Sequence, residues 1–216
     1  MERFDRNNHH DTHPRDDDES HGHASNVHIS HQTHYHTHYH FSVNGNVSQP
    51  DQGGRTVTAA GNALINKPVF RVYCKANPFF YLTIRGGNLV MAESDPNNEY
   101  QYWYKIDDYN SLKDKDGSPA FSLVNKGSGE AIKHSIGAYH PVLLVPYSPC
   151  SFDESILWTE GPHSFDGYRS VRMFNNTHLH MDVFGGGAVH DGSHIILWNW
   201  ANGDNQKWMI FPVKRL

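Results

Sequence analysis

Asp182, Trp198, Asn205 and Gln206 lie close together near the end of a 216-residue chain, and their side chains suit a ligand held without breaking bonds. A pyranose presents one face of C–H bonds, which packs on an indole, and a rim of hydroxyls that need fixed donors and acceptors. Asp182 would accept two hydroxyl hydrogens, Trp198 would supply the platform, and Asn205 would offer both a donor and an acceptor. Gln206 would hold the loop or reach the same hydroxyls. The turn after Met181-Asp182-Val183 is Phe184-Gly185-Gly186-Gly187, whose glycines permit close backbone approach and leave a pocket mouth open. Each residue also has a plainer role. Asp182 could cap the glycine turn through its own backbone, and Asp204-Asn205 is ordinary hairpin sequence. Trp198 and Trp200 point to one face of a strand while Ile195 and Leu197 take the other, so one face is core and the other partly open.

Positioning these groups requires a scaffold, and internal repetition supplies it. Phe70-Arg71-Val72-Tyr73, Phe121-Ser122-Leu123-Val124 and Val171-Arg172-Met173-Phe174 alternate with period two, start about 50 residues apart and run into polar turns. Second strands are expected at Leu82 to Arg85, Ala131 to His134 and Leu179 to Asp182. Third strands are expected at Leu89 to Ala92, Val142 to Val145 and Ile195 to Trp198. Each unit closes on a tryptophan, Trp103, Trp158 or Trp208, read as core. Gly or Pro interrupts the chain too often for an amphipathic helix, so helix should be nearly absent. Three four-stranded units, none able to bury its apolar face alone, predict an all-β protein of the β-trefoil kind over 68–216. Matched across the units, the place of Asp182 is held by Arg85 and His134, and that of Trp198 by Ala92 and Val145. Only the third unit combines a carboxylate, an aromatic and a carboxamide pair.

Residues 1–67 differ in kind. Eleven of the 18 histidines fall in the first 40 residues among Asp16, Asp17, Asp18 and Glu19, with few bulky apolar residues, which predicts a disordered N-terminal region and linker. His34-Tyr35-His36-Thr37-His38-Tyr39-His40 sets imidazoles two apart, a pattern that takes up Zn²⁺, Cu²⁺ or Ni²⁺ adventitiously, and is read as a solvated spacer rather than a specific metal site. The net charge of −5 argues against nucleic acid as the main ligand. With no signal-peptide-like stretch and no long apolar run, a soluble protein of cytoplasm and nucleus is expected, without membrane insertion. Of the two cysteines, Cys74 reads as a small buried thiol and a disulfide with Cys150 is not expected.

The third unit resembles the sugar-binding subdomain of the ricin B-chain type, marked by an Asp ending the second strand, an aromatic on the third, and Asn-Gln-x-Trp at the close. Across residues 69–216, Tyr81-Leu82-Thr83-Ile84-Arg85, His134-Ser135-Ile136-Gly137-Ala138, His140-Pro141-Val142, Asp153-Glu154-Ser155-Ile156-Leu157-Trp158-Thr159-Glu160 and Gly203-Asp204-Asn205-Gln206 resemble more narrowly the Euonymus lectin-related family of plants. The resemblance implies a stress-related nucleocytoplasmic lectin for galactose-containing or mannose-rich glycans, with one site at Asp182, Trp198, Asn205 and Gln206. Ile196 stands where the ricin type has a sugar-contacting glutamine. Glycans or glycoproteins are the expected partners, with a weak dimer or another protein beside them, and no cofactor is expected. Two other functions compete. A glycoside hydrolase would need Asp182 paired with Asp191 or Asp204 across the sugar, and a protein-binding trefoil would use the same fold without binding glycan.

Overall fold

The computed structural model describes Leu64, residues 66–186 and residues 188–213; the histidine-rich tract and most of the 1–67 region expected to be disordered lie outside the described residues. At the end of that region Leu64 is buried and Lys67 pairs with Asp108, so the expected boundary falls a few residues late. Twelve strands form three successive groups of four. The first holds β1 (Val69–Cys74), β2 (Phe80–Arg85), β3 (Asn88–Glu93) and β4 (Trp103–Ile106). The second holds β5 (Ala120–Asn125), β6 (Glu130–Lys133), β7 (Leu143–Pro146) and β8 (Trp158–Glu160). The third holds β9 (Val171–Met173), β10 (Leu179–Val183), β11 (Ile195–Asn199) and β12 (Trp208–Pro212). First and fourth strands pair within a unit, β1 with β4 and β5 with β8, and a bridge from Arg169 to Trp208 does the same in the third. Units join through β4 with β5, β8 with β9, and β12 with β1. The six strands so linked close on themselves, and the hairpins β2–β3, β6–β7 and β10–β11 stand off them. This is the β-trefoil, with the three strand groups where alternation and spacing put them.

The closing tryptophans explain why each unit folds the same way. Trp103, Trp158 and Trp208 are fully buried, and each indole N–H donates to a carbonyl of the second strand in its own unit: Leu82 at 3.0 Å, Ile132 at 3.0 Å and Met181 at 2.9 Å. Burial supplies the apolar gain while the bond satisfies the one polar atom of the ring. A single 3-10 turn precedes each tryptophan, over Glu99–Gln101, Glu154–Ile156 and Asp204–Gln206. Turns this short leave no periodicity to read in a sequence.

The tryptophan bonds also correct the matching of units. Asp182 follows Met181, so its counterparts follow Leu82 and Ile132: they are Thr83 and Lys133, not Arg85 and His134. Register agrees, since Asp182 opposes Ile196, Thr83 opposes Val90 and Lys133 opposes Leu143. The Ala92 and Val145 matches to Trp198 stand. Glycine-rich and tight turns differ in length between the hairpins, which shifts an alignment made by eye by one or two residues.

One apolar cluster fills the barrel and hairpin undersides, and a smaller one gathers Leu64, Ile106, Val124, Tyr147 and Ile156. Cys74 is buried, Cys150 exposed, and neither is paired. Among the described residues, no helix is long and apolar enough to cross a membrane.

Candidate functional site

Hairpin β10–β11 decides which side chains share a face. Met181, Val183, Ile195 and Leu197 turn inward to the core. His180, Asp182, Ile196 and Trp198 take the other face, because directly opposed residues of an antiparallel pair project together and His180 opposes Trp198 while Asp182 opposes Ile196. Asp182 and Trp198 are thus diagonal neighbours, with the side chain of Ile196 buried between them. Phe184 N–H donates to His194 O at 2.9 Å to hold the hairpin beyond Asp182, and positive φ at Gly185 and Gly186 makes the glycines there a backbone requirement.

Asn205 reaches this face from the last 3-10 turn. Its Nδ2 donates to Asp182 Oδ1 at 2.8 Å and to Val183 O at 3.1 Å. A carboxylate can accept about four hydrogen bonds, so Asp182 keeps capacity for a ligand hydroxyl, and Asn205 Oδ1 remains an acceptor. Asp182 is 6% exposed. Burial raises its pKa to about 6, against the pull of the Gln206 and Asn205 carboxamides. Gly203 lies under Asn205, and a Cβ there would come within 2.3 Å of Asn205 Oδ1. Gly203 has ordinary extended backbone, so alanine is tolerated by φ and ψ but must push the carboxamide off Asp182. Gly203→Ala should therefore keep the fold and weaken ligand binding about tenfold, roughly one lost charge-assisted hydrogen bond. Isothermal titration beside a melting curve checks both halves.

Of the two roles open to Gln206, the geometry gives it the loop. It is fully buried, Nε2 donates to Asn199 O at 2.9 Å and Oε1 accepts from Ala201 N–H at 2.8 Å. Gln101 does the same in the first unit, donating to Glu93 O and accepting from Asp95 N–H. Gln206 thus clamps the chain leaving β11 and fixes the turn that presents Asn205.

Trp198 is half-buried, and Tyr139 packs against it edge to face, ring centroids 3.8 Å apart. Tyr139 comes from the second unit, is 62% exposed and has φ +68°, uncommon for a residue other than glycine. Backbone bonds from Tyr139 N–H to Leu197 O and from Leu197 N–H to His140 O lay this loop along β11. No local pattern marks Tyr139, because its contact crosses between units.

The carboxylates that hydrolysis would require are committed elsewhere. Asp191 is held by Arg85 at 2.7 and 2.9 Å, and Asp204 by Lys207 at 3.1 Å. Both pKa values lie below the ordinary carboxylate range because of those cations. Neither can serve as the general acid that Asp182 would need as partner. The first two units carry Thr83, Ala92 and Tyr100, or Lys133, Val145 and Ser155, where the third has Asp182, Trp198 and Asn205.

Over 157 residues, 70% of its length, the chain is 50% identical to the rice ricin B-like lectin R40G3, of which it spans 77%. The chain belongs to the ricin B-like lectins. A second member, EULS3 of Arabidopsis thaliana, is 47% identical over 199 residues, which are 90% of this chain and 62% of that protein. The match to R40C1 of rice is 49% over 152 residues, and there this chain spans 44% of the relative. No family model matches. Among solved structures, the designed three-fold symmetric protein ThreeFoil superposes with a TM-score of 0.53 at 18% identity, covering 67% of this chain and 99% of its own. The Rhizoctonia solani agglutinin gives 0.51 at 13%, covering 78% and 100%. These two likenesses speak to the fold. For ricin B-like lectins, the names of the relatives also bear on chemistry: each is named a lectin.

Proposed function

We propose that this chain binds glycans, galactose-containing or mannose-rich, through one shallow site in its third unit, and catalyses no reaction on them. The observation that carries the reading is the shared face of β10–β11. Only there, among the three units, do a carboxylate, an indole and a carboxamide converge. Asp182 and Asn205 take the sugar hydroxyls, Trp198 takes the C–H face, Tyr139 steadies Trp198 and Gln206 holds the Asn205 turn. The lectin names of the relatives support it. The buried Ile196 offers no polar atom, so specificity rests on fewer hydroxyl contacts. One such site gives weak monovalent binding, with a Kd on the order of millimolar to micromolar, and multivalent presentation of the glycan strengthens it.

Glycan-array binding followed by titration of the best ligand tests this. Trp198→Ala should lower affinity by about two- to tenfold, since stacking on an aromatic face contributes on the order of 0.5–1.5 kcal/mol, with little change in melting temperature. A wild-type chain that binds no glycan on the array would replace this reading with that of a protein-binding trefoil.

A further inference from the structure

The face of β10 that carries Asp182 carries His180 two residues earlier, and there it borders a cavity of about 440 Å³ that the site above does not use. Its walls include Lys115, Arg172 and Lys207, the rings of Tyr168 and Trp200, and the imidazole of His180. Asp116 is the one carboxylate in the lining, and Arg172 Nη1 already engages it at 2.9 Å. Lys115 instead lies 3.0 Å from His178 Nε2, and among the described residues it has no carboxylate partner. Lys207 is paired with Asp204 at 3.1 Å and Arg172 with both Asp114 and Asp116, so the positive charge left without a carboxylate in this cavity is that of Lys115.

His180 adds a second, independent sign of a missing partner. It is 5% exposed, and its Nδ1 is buried without a hydrogen bond. Burial, with Arg172 nearby, lowers its pKa to about 4, so the ring is neutral at pH 7 and does not add to the charge. A buried polar nitrogen left unpaired is destabilising. The His180 ring lies against Trp200 with centroids 4.8 Å apart, leaving Trp200 45% exposed as an aromatic surface.

We propose that this cavity is a second subsite for an acidic sugar unit, a uronate or a sulfated hexose. Lys115 takes the anionic group and Trp200 takes the ring face, while the His180 imidazole backs Trp200. The inference rests on the lectin reading, and it extends the recognised ligand from neutral to acidic glycans.

The full chain, labelled with ¹⁵N, is titrated separately with methyl β-glucuronide, galactose 6-sulfate, neutral methyl β-glucoside and inorganic sulfate. An acidic sugar is expected to shift the Trp200 indole signal saturably, at least fivefold more tightly than the neutral glucoside. The glucuronide and sulfate-ester arms tell carboxylate from sulfate. Lys115→Gln and Trp200→Ala should each weaken this response at least fivefold, while the Trp198 response to methyl galactoside in Lys115→Gln stays as in wild type. Equal affinity for acidic and neutral sugars, equal affinity for inorganic sulfate, or full retention of binding in both variants would overturn the subsite. A silent Trp198 with a responding Trp200 would instead overturn the Asp182 site, so the two failures are read apart.

Discussion

In the Asp182→Asn variant, glycan affinity is expected to drop by at least tenfold while the fold keeps or gains stability at pH 7. The two effects have opposite signs because the fold and the ligand use different protonation states. Burial raises the folded pKa of Asp182 to about 6, above the value of about 3.9 in an unfolded chain. Folding therefore favours the protonated acid. Its contribution to stability is fully present below about pH 4 and is lost as pH rises through about 6, a change on the order of 2–3 kcal/mol. Asparagine carries no charge, keeps an oxygen for Asn205 Nδ2 and escapes that loss. A ligand hydroxyl, in contrast, donates more strongly to a carboxylate than to an amide. In the wild type, binding should fall roughly tenfold from pH 7 to pH 5 as Asp182 takes up its proton. Titrations at both pH values, beside melting curves, read the whole pattern, and a pH-independent affinity would show that Asp182 does not accept from the sugar.

Asp114→Ala should cost about 3–5 kcal/mol, lowering the melting temperature on the order of 10 °C. Asp114 has no exposed side-chain surface, and it lies before β5 in sequence but against β9 in space. Its Oδ2 accepts from Arg172 Nη2 at 2.7 Å and Thr159 Oγ1 at 2.7 Å, and Oδ1 accepts from the backbone N–H groups of Asp116 and Ser118, both at 2.9 Å. Burial pushes this carboxyl up, but the bonds from Thr159, Ser118 and Asp116 and the Arg172 charge outweigh it and hold the pKa below the usual range. The sign is the reverse of Asp182: the stabilisation is present above about pH 4 and is lost as pH falls through the lowered folded value. Removing the carboxylate leaves the buried Arg172 guanidinium with Asp116 as its charged partner. Replacing both as Asp114→Leu with Arg172→Met should restore part of the stability, because it removes the buried guanidinium that has lost one of its two carboxylates, while the Asp116 and Ser118 N–H groups stay without their acceptor. A double-mutant cycle by chemical denaturation measures it. If the single variant unfolds within about 1 kcal/mol of wild type, the cluster is not a structural joint.

Period-two alternation, the spacing of about 50 residues and the three tryptophans sufficed to place twelve strands in a trefoil, because those signals are local and repeat three times. Asp182, Trp198 and Asn205 were legible as a candidate site, because only the third unit sets a carboxylate, an indole and a carboxamide at those places. What distance along the chain hides was not legible. Tyr139 meets Trp198 across two units, Asp114 meets Arg172 across a loop and a strand, and neither pair leaves a spacing to recognise. The equivalence of Asp182 with Thr83 and Lys133 required the tryptophan hydrogen bonds, since turn lengths vary between units. Gln206 illustrates the division most simply. Its residue type allows it to bind a ligand or hold a loop, and only the packed structure, which surrounds both ends of its amide with backbone, decides for the loop. The sequence by itself thus determined the repeating frame and the polar residues set into one copy of it. Tertiary structure decided which of those residues keep free hydrogen-bonding capacity, because satisfaction and burial depend on neighbours that folding brings from elsewhere in the chain.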